Sequence, residues 1–301
     1  MIDTFAARVV GAFGRHIEVR DGDGTRHAAR PFGRKLSLVC GDRVRCERDA
    51  QSGEWHAVEV LTRTNALLRS NARGGAEAVV ANIDLLAIVL AARPEPDPFM
   101  IDRYLAAAAS CRIAALLVVN KSDLPTSANI EAQLGNWQQL GYPVLHCAAR
   151  TAAGIDALTQ QLAGRTAVLV GQSGVGKSSL LTQLVPQAQA ATGELMRDDE
   201  GRHTTTASQM YELPGGGELI DSPGVRDFAP AISSLEPRSL GFVEIDRYGV
   251  SCRFQDCQHM REPHCAVTAA VASGSISPRR YESYRRLRRL FTDLTQKQQR
   301  N

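Results

Sequence analysis

The sequence predicts a chain of three parts: a small antiparallel β-barrel over residues 1–70, a doubly wound α/β domain over 71–230, and a helical, metal-holding module over 231–301. Three observations carry this reading. Short alternating runs broken by turn residues fill the N-terminal part. Continuous apolar runs alternate with helical stretches through the middle. A cysteine–histidine cluster followed by a basic amphipathic stretch closes the chain. At 301 residues and 44% hydrophobic content there is material for a sizeable core. The longest apolar runs, such as "IDLLAIVLAA" from Ile83, fall short of the roughly 20 residues of a membrane span. The N-terminus has no apolar signal core, so a cytoplasmic protein is expected.

In the first part, "ARVVGAFG", "HIEVRDGDG", "RHAARPFG", "LVCGDRVRCERD" and "EWHAVEVL" read as strands, and "DGDG" at Asp21–Gly24 is a hairpin signal. Such a barrel fits an OB-fold, whose face and loops bind single-stranded nucleic acid. From Ala6 to about Leu68 the aromatics are Phe13, Phe32 and Trp55, too sparse for a stacking platform, so contact through Arg15, Arg20, Arg30, Arg34 and Lys35 is expected rather than base reading.

In the second part the apolar strands "IDLLAIVLAA", "RIAALLVVN", "PVLHCAA" and "TAVLVG" alternate with "FMIDRYLAAAASC", "NIEAQLGNWQQLGY" and "IDALTQQL". This predicts a parallel sheet covered on both faces, with ligands at the carboxyl ends of the strands. In the third part, Pro278–Lys297 predicts a helix with Tyr281, Tyr284, Leu287, Leu290, Phe291 and Leu294 on one face. That stripe is expected to pack, leaving the arginines exposed, with RNA contact as a second role. Residues 1–70 carry 12 Lys/Arg against 9 Asp/Glu, residues 279–301 carry 8 against 2, and the middle 15 against 21. Basic ends around an acidic middle suit a nucleotide-binding core flanked by modules that touch a polyphosphate such as RNA.

After the strand "TAVLV", the run Gly171, Gln172, Ser173, Gly174, Val175, Gly176, Lys177 and Ser178 satisfies the phosphate-loop pattern and opens the helix "SSLLTQL", on which Ser179 follows. Its glycines let backbone N–H groups turn onto phosphates at a helix N-terminus. Lys177 should reach the β- and γ-phosphates, and Ser178 should bind Mg²⁺. Upstream, "NKSD" ends a strand: Asp123 can accept from the N1–H and N2 amine of guanine, which adenine does not present. Asn120 would tie this loop to the phosphate loop, and the stem of Lys121 can cover the base. "LIDSPGVRDF" supplies Asp221 for Mg²⁺ through water and the Gly224 amide for the γ-phosphate. In "GRHTTT", Thr205 is the favoured second magnesium ligand, with Thr204 and Thr206 open. After the strand "PVL", the Ala148 amide can meet the guanine carbonyl. Cys252, Cys257, His259 and Cys265, spaced C-x4-C-x-H-x5-C, suit a closed tetrahedral zinc site, and by spacing alone His264 could replace His259. The other cysteines, Cys40, Cys46, Cys111 and Cys147, read as small core residues.

The base-reading loops precede the phosphate loop, which precedes the γ-phosphate sensors, so the order is a circular permutation. With the N-terminal barrel and the cysteine–histidine cluster, the whole chain resembles the circularly permuted GTPases of the RsgA (YjeQ/EngC) family. The resemblance implies an α/β P-loop GTPase domain, an N-terminal all-β OB-fold barrel and a C-terminal zinc domain, and it favours His259 as ligand. It also implies GTP and GDP as ligands and the small ribosomal subunit with its rRNA as partner, hydrolysis being stimulated by that subunit late in its maturation. The absence of a sustained heptad leans to a monomer. The position that follows D-x-x-G and orients water in Ras-like enzymes is Val225 here. His203 is therefore the candidate to orient water, with Arg202 as a stabiliser in cis. A different reading is an RNA-binding scaffold in which GTP is a structural ligand with little turnover.

Overall fold

The computed structural model describes residues 3–299 apart from 15, 34, 35, 72–74, 186–207 and 227. Strands Thr4–Phe13 (β1), His16–Asp21 (β2), Arg26–Pro31 (β3), Arg43–Arg48 (β4) and Trp55–Val60 (β5) form a closed barrel. β1 pairs antiparallel with both β2 and β4, β4 with β5, and β3 runs parallel to β5. Alternate residues fill the interior: Val9, Ile17, Val19, Ala29, Val44, Cys46 and Ala57 are buried together. In the "DGDG" turn the Asp21 carboxylate accepts from the amides of Asp23 and Thr25, which fixes the hairpin.

A hairpin of Ala66–Ser70 (β6) and Ala76–Ala81 (β7) follows, which the expected strands did not include. The parallel sheet then builds from Leu85–Ala91 (β8), Ala114–Asn120 (β9), Val144–His146 (β10) and Thr166–Val170 (β11). Helices Pro98–Ser110 (α1), Ala128–Gln139 (α2) and Ile155–Leu162 (α3) cross over between these strands, and Lys177–Leu184 (α4) follows β11. α1 starts where Asp97 caps the Phe99 amide and Pro98 takes the first turn. Every residue of β8 is buried, as a central strand covered on both faces requires. Two further strands, Ser208–Glu212 (β12) and Glu218–Asp221 (β13), complete the order β10-β9-β8-β11-β13-β12. β12 pairs with β1 at Ala12↔Ser208 and Gly11↔Gln209, so among the described residues one eleven-stranded sheet runs from the α/β domain into the barrel. Arg8 and Arg20 of the barrel reinforce that seam by pairing with Glu218, and Arg20 also pairs with Glu212. Arg20 is thus spent inside the molecule rather than offered to RNA, while Arg15, Arg34 and Lys35 lie outside the described residues.

Pro223–Arg226 (α5) follows β13 within the α/β domain, and the C-terminal module contains Val243–Gly249 (α6), Ala266–Ala272 (α7) and Pro278–Gln299 (α8). Tyr284 and Leu287 are fully buried, as the apolar stripe of α8 predicts, but Leu290 is exposed. The arginines depart from expectation: Arg280 is 1% exposed and Arg288 5%. Arg280 forks onto Glu244 at 2.7 and 3.0 Å and reaches Asp102 of α1 at 2.6 Å. Asp102 also accepts from Arg279 and from the Trp137 indole N–H. Arg288 donates to the carbonyls of Pro237 and Arg238. A guanidinium can be buried when each donor meets a carboxylate or carbonyl, and this helix supplies such partners. Among the described residues no helix is long and apolar enough to cross a membrane.

Candidate nucleotide site and metal centre

The carboxyl ends of β9, β10 and β11 bring three loops together. Asn120 ends β9 and is 1% exposed; its side-chain amide donates to the Val175 carbonyl in the phosphate loop at 2.9 Å. Its carbonyl accepts from the Ala149 amide at 3.1 Å. One buried carboxamide thereby holds the base loop, the "CAA" loop and the phosphate loop in register; the sequence predicted the tie to the phosphate loop but not the one to the "CAA" loop. Lys121, at φ 58°, extends Nζ to the carbonyls of Arg93 and Gly174, so its stem crosses the mouth of the site.

These loops enclose an open cavity of about 680 Å³ lined by Asp123, Lys121, Ala149, Gly176, Ser179 and Gln183, among others. Asp123 faces it, and Arg150 donates to the Asp123 carboxylate at 3.1 Å. Ala148 does not line it. The Ala148 amide donates to Ala153 at 2.8 Å in a bridge that closes the turn, so the neighbouring Ala149 and Arg150 occupy the rim instead. Cys147 lies beneath, and burial pushes its thiol up to about 11, leaving an inert small side chain. Leu124, Thr182 and Gln183 also line the cavity; no local motif marks them, only their place on the flanking turn and helix.

In the phosphate loop, the geometry explains the glycines. Gly171 has φ 144°, and a Cβ there would stand 2.2 Å from the Val89 carbonyl oxygen. Gly176 has φ 96°, and a Cβ would meet the Asn120 Nδ2 at 2.3 Å. The Gln172, Ser173 and Gly174 turn carries the chain to α4, at whose start Lys177 folds back onto the carbonyls of Gly171 and Gln172. Val175 is buried; Ser178 and Ser179 are exposed at the helix N-terminus. Lys177, Ser178 and Asp221 border one small cavity, the place where a phosphate-bound cation could be held. Asp221 ends β13, and Gly224 follows on α5. Val225 is 1% exposed and points into the core, so the position after D-x-P-G offers nothing to a water molecule. Ser208 donates to Ser222 at 2.7 Å, joining the start of β12 to this turn. Arg202, His203, Thr204, Thr205 and Thr206 lie outside the described residues.

The second centre is the C-terminal cluster. The donor atoms of Cys252, Cys257, His259 and Cys265 lie within 4.8 Å of one another. The His259 Nδ1 is 3.4 Å from the sulfurs of both Cys252 and Cys265, which are 3.8 Å apart. A zinc tetrahedron with Zn–S of about 2.3 Å and Zn–N of about 2.0 Å has edges of roughly 3.5–3.8 Å, so the donor set fits zinc. His264 is exposed and outside the cluster, which settles the alternative that spacing left open. Burial pushes the Cys257 thiol up to about 12 and holds the His259 imidazole below its usual range. Tyr281 and Tyr284 of α8 clamp the loop by donating to the carbonyls of His259 and Gln258.

A phosphate loop, a guanine-type loop and a D-x-P-G turn on one parallel sheet, with the base loops first in the chain, define a circularly permuted GTPase. The comparisons agree. The family model described as RsgA GTPase matches residues 60–230. The small ribosomal subunit biogenesis GTPase RsgA of Pseudomonas putida is 43% identical over 287 residues, spanning 92% of this chain and 83% of that protein. The crystal structure of YjeQ from Thermotoga maritima superposes with a TM-score of 0.73 at 28% identity, covering 96% of this chain and 99% of that one. The structure of YloQ, a circularly permuted GTPase, gives the same score at 24% identity over 97% and 96% of the two chains and supports the fold. This chain belongs to the RsgA GTPase family and is a GTP-hydrolysing enzyme.

Proposed function

We propose that the chain binds GTP and GDP, engages the small ribosomal subunit late in its assembly, hydrolyses GTP in a subunit-stimulated manner and is released as the γ-phosphate leaves. The observation that carries this is the Asn120 carboxamide, bonded to both the phosphate loop and the Ala149 amide beside the cavity that Asp123 faces. Asp123 selects guanine by accepting from N1–H and the N2 amine, exchanging its contact with Arg150 for them. The amides from Gly171 to Ser179 surround the phosphates, and Lys177 turns from its two carbonyls to the β- and γ-phosphates. Ser178 and Thr205 would hold Mg²⁺, with Asp221 reaching it through water, and the cation would neutralise charge on the phosphate chain. Gly224 donates its amide to the γ-phosphate. Because Val225 is buried, His203 orients the attacking water, with Arg202 as a transition-state stabiliser in cis.

Around this core, residues 1–70 act as the RNA-facing barrel, 71–230 as the GTPase domain and 231–301 as a module stapled by one structural Zn²⁺ at Cys252, Cys257, His259 and Cys265. The protein works as a cytoplasmic monomer on rRNA. The name of the Pseudomonas relative supports the subunit as partner. The scaffold reading, with GTP as a structural ligand, keeps one point in its favour, the inert Val225. Co-sedimentation tests the cycle. The subunit should retain the protein with a non-hydrolysable GTP analogue and release it with GDP, and ATP should compete for neither. Equal retention with both nucleotides would leave the switch nothing to transmit.

A further inference from the structure

The buried Val225 leaves the D-x-P-G turn without a polar side chain of its own, which directs attention to what packs against Gly224. A Cβ at Gly224 would lie 3.6 Å from Nη1 of Arg69 and 3.2 Å from Val79, both on the β6–β7 hairpin. The main chain joins the same two segments: the Ala231 amide donates to the Leu68 carbonyl at 2.8 Å, and Arg69 bridges Pro230. The hairpin therefore grips the turn at Gly224 and again where the chain leaves it for the zinc module. Among the described residues the Arg69 guanidinium pairs with Glu77, through Nε at 2.7 Å, with side chains 48% and 41% exposed. Exposed pairs of this kind are weak and exchange readily.

We propose that Arg69 is a γ-phosphate-binding residue beside the D-x-P-G turn, turning its guanidinium from Glu77 toward the phosphate when GTP is bound. The inference rests on the reading of Gly224 as a γ-phosphate contact. An oxygen accepting from the Gly224 amide would lie no more than about 9 Å from the present Nη1 position, given ordinary bond and hydrogen-bond lengths. A rotamer change of the long arginine side chain spans much of that distance. The planar fork suits phosphate, and its charge distinguishes a triphosphate from a diphosphate. Arg69 would thus discriminate GTP from GDP from a rigid hairpin rather than from a loop.

The test compares wild type with Arg69→Ala, Arg69→Lys and Glu77→Gln, measuring affinity for GDP, affinity for a non-hydrolysable GTP analogue, and turnover at saturating GTP. Arg69→Ala should weaken the analogue by about tenfold, leave GDP within about twofold, and lower kcat by at least about tenfold. Arg69→Lys should recover part of both losses, and Glu77→Gln should match or exceed wild type. Equal loss for both nucleotides, no loss for either, or a Glu77→Gln variant as impaired as Arg69→Ala would overturn the proposal, since each marks a merely structural arginine. Lys177→Ala separates the two levels. Turnover surviving in that variant would remove the nucleotide-site reading itself, and the Arg69 role with it.

Discussion

Gly176 has to satisfy two demands at once, a left-handed φ of 96° and an approach to Asn120 that leaves no room for a Cβ. Gly176→Ala should therefore combine backbone strain of about 1–2 kcal/mol with displacement of the carboxamide that registers the three loops. Titration with a fluorescent GDP should show at least a tenfold loss of affinity, with near-native circular dichroism. Asp123→Asn tests base reading more directly, because an amide offers one acceptor and one donor. Affinity for GDP should fall by roughly 10- to 100-fold, in line with the loss of charge-assisted hydrogen bonds, and xanthosine diphosphate, with its C2 carbonyl, should gain. The tie from Asn120 to the phosphate loop was legible in the sequence because it is carried by residue type at fixed spacing after a strand. Ala148 was misplaced because the choice between it and Ala149 depends on the Ala148–Ala153 bridge, a turn closure that no residue type announces.

At the scale of elements, the strands and helices with long runs were legible from periodicity, whereas the β6–β7 hairpin and β12 were not. Their signals lay in turns, "NARGG" between "ALLRS" and "AEAVVA", and "LPGGGE" ahead of β13, where short half-buried strands give little alternation. The arginines of α8 were misread for a related reason: sequence shows their charge but not the carboxylates of Asp102 and Glu244 that come to them from other helices. Asp102→Ala leaves the Arg280 guanidinium partly unpaired in the core, so urea unfolding should show a loss of about 3–5 kcal/mol. Burial raises the Asp102 pKa, but the Arg280 and Arg279 charges outweigh it and hold it below the ordinary value. A depressed folded-state pKa contributes stability above the unfolded value of about 3.9, lost as pH falls through the folded one. The α1–α8 contact should accordingly persist at pH 5 and weaken below about pH 4, as Trp137 fluorescence would report.

Over the whole molecule, the strands that border the two proposed γ-phosphate segments make different connections. β12 begins just after the "GRHTTT" stretch and pairs with β1 of the barrel, while the D-x-P-G turn leads past the hairpin into the zinc module. The sequence shows only the second path, because the β1–β12 pairing joins residues almost 200 positions apart. Removing zinc should loosen only the module. A chelator should release one zinc per chain and make the thiols of Cys252, Cys257 and Cys265 reactive, with GDP affinity unchanged within about twofold. The most direct test of the account is GTP hydrolysis by the purified protein alone, with small ribosomal subunits and with large ones, against a Lys177→Ala background. Small subunits alone should raise turnover by orders of magnitude. Tight GTP binding with no stimulation by either particle would contradict it and favour a scaffold that holds GTP as a structural ligand.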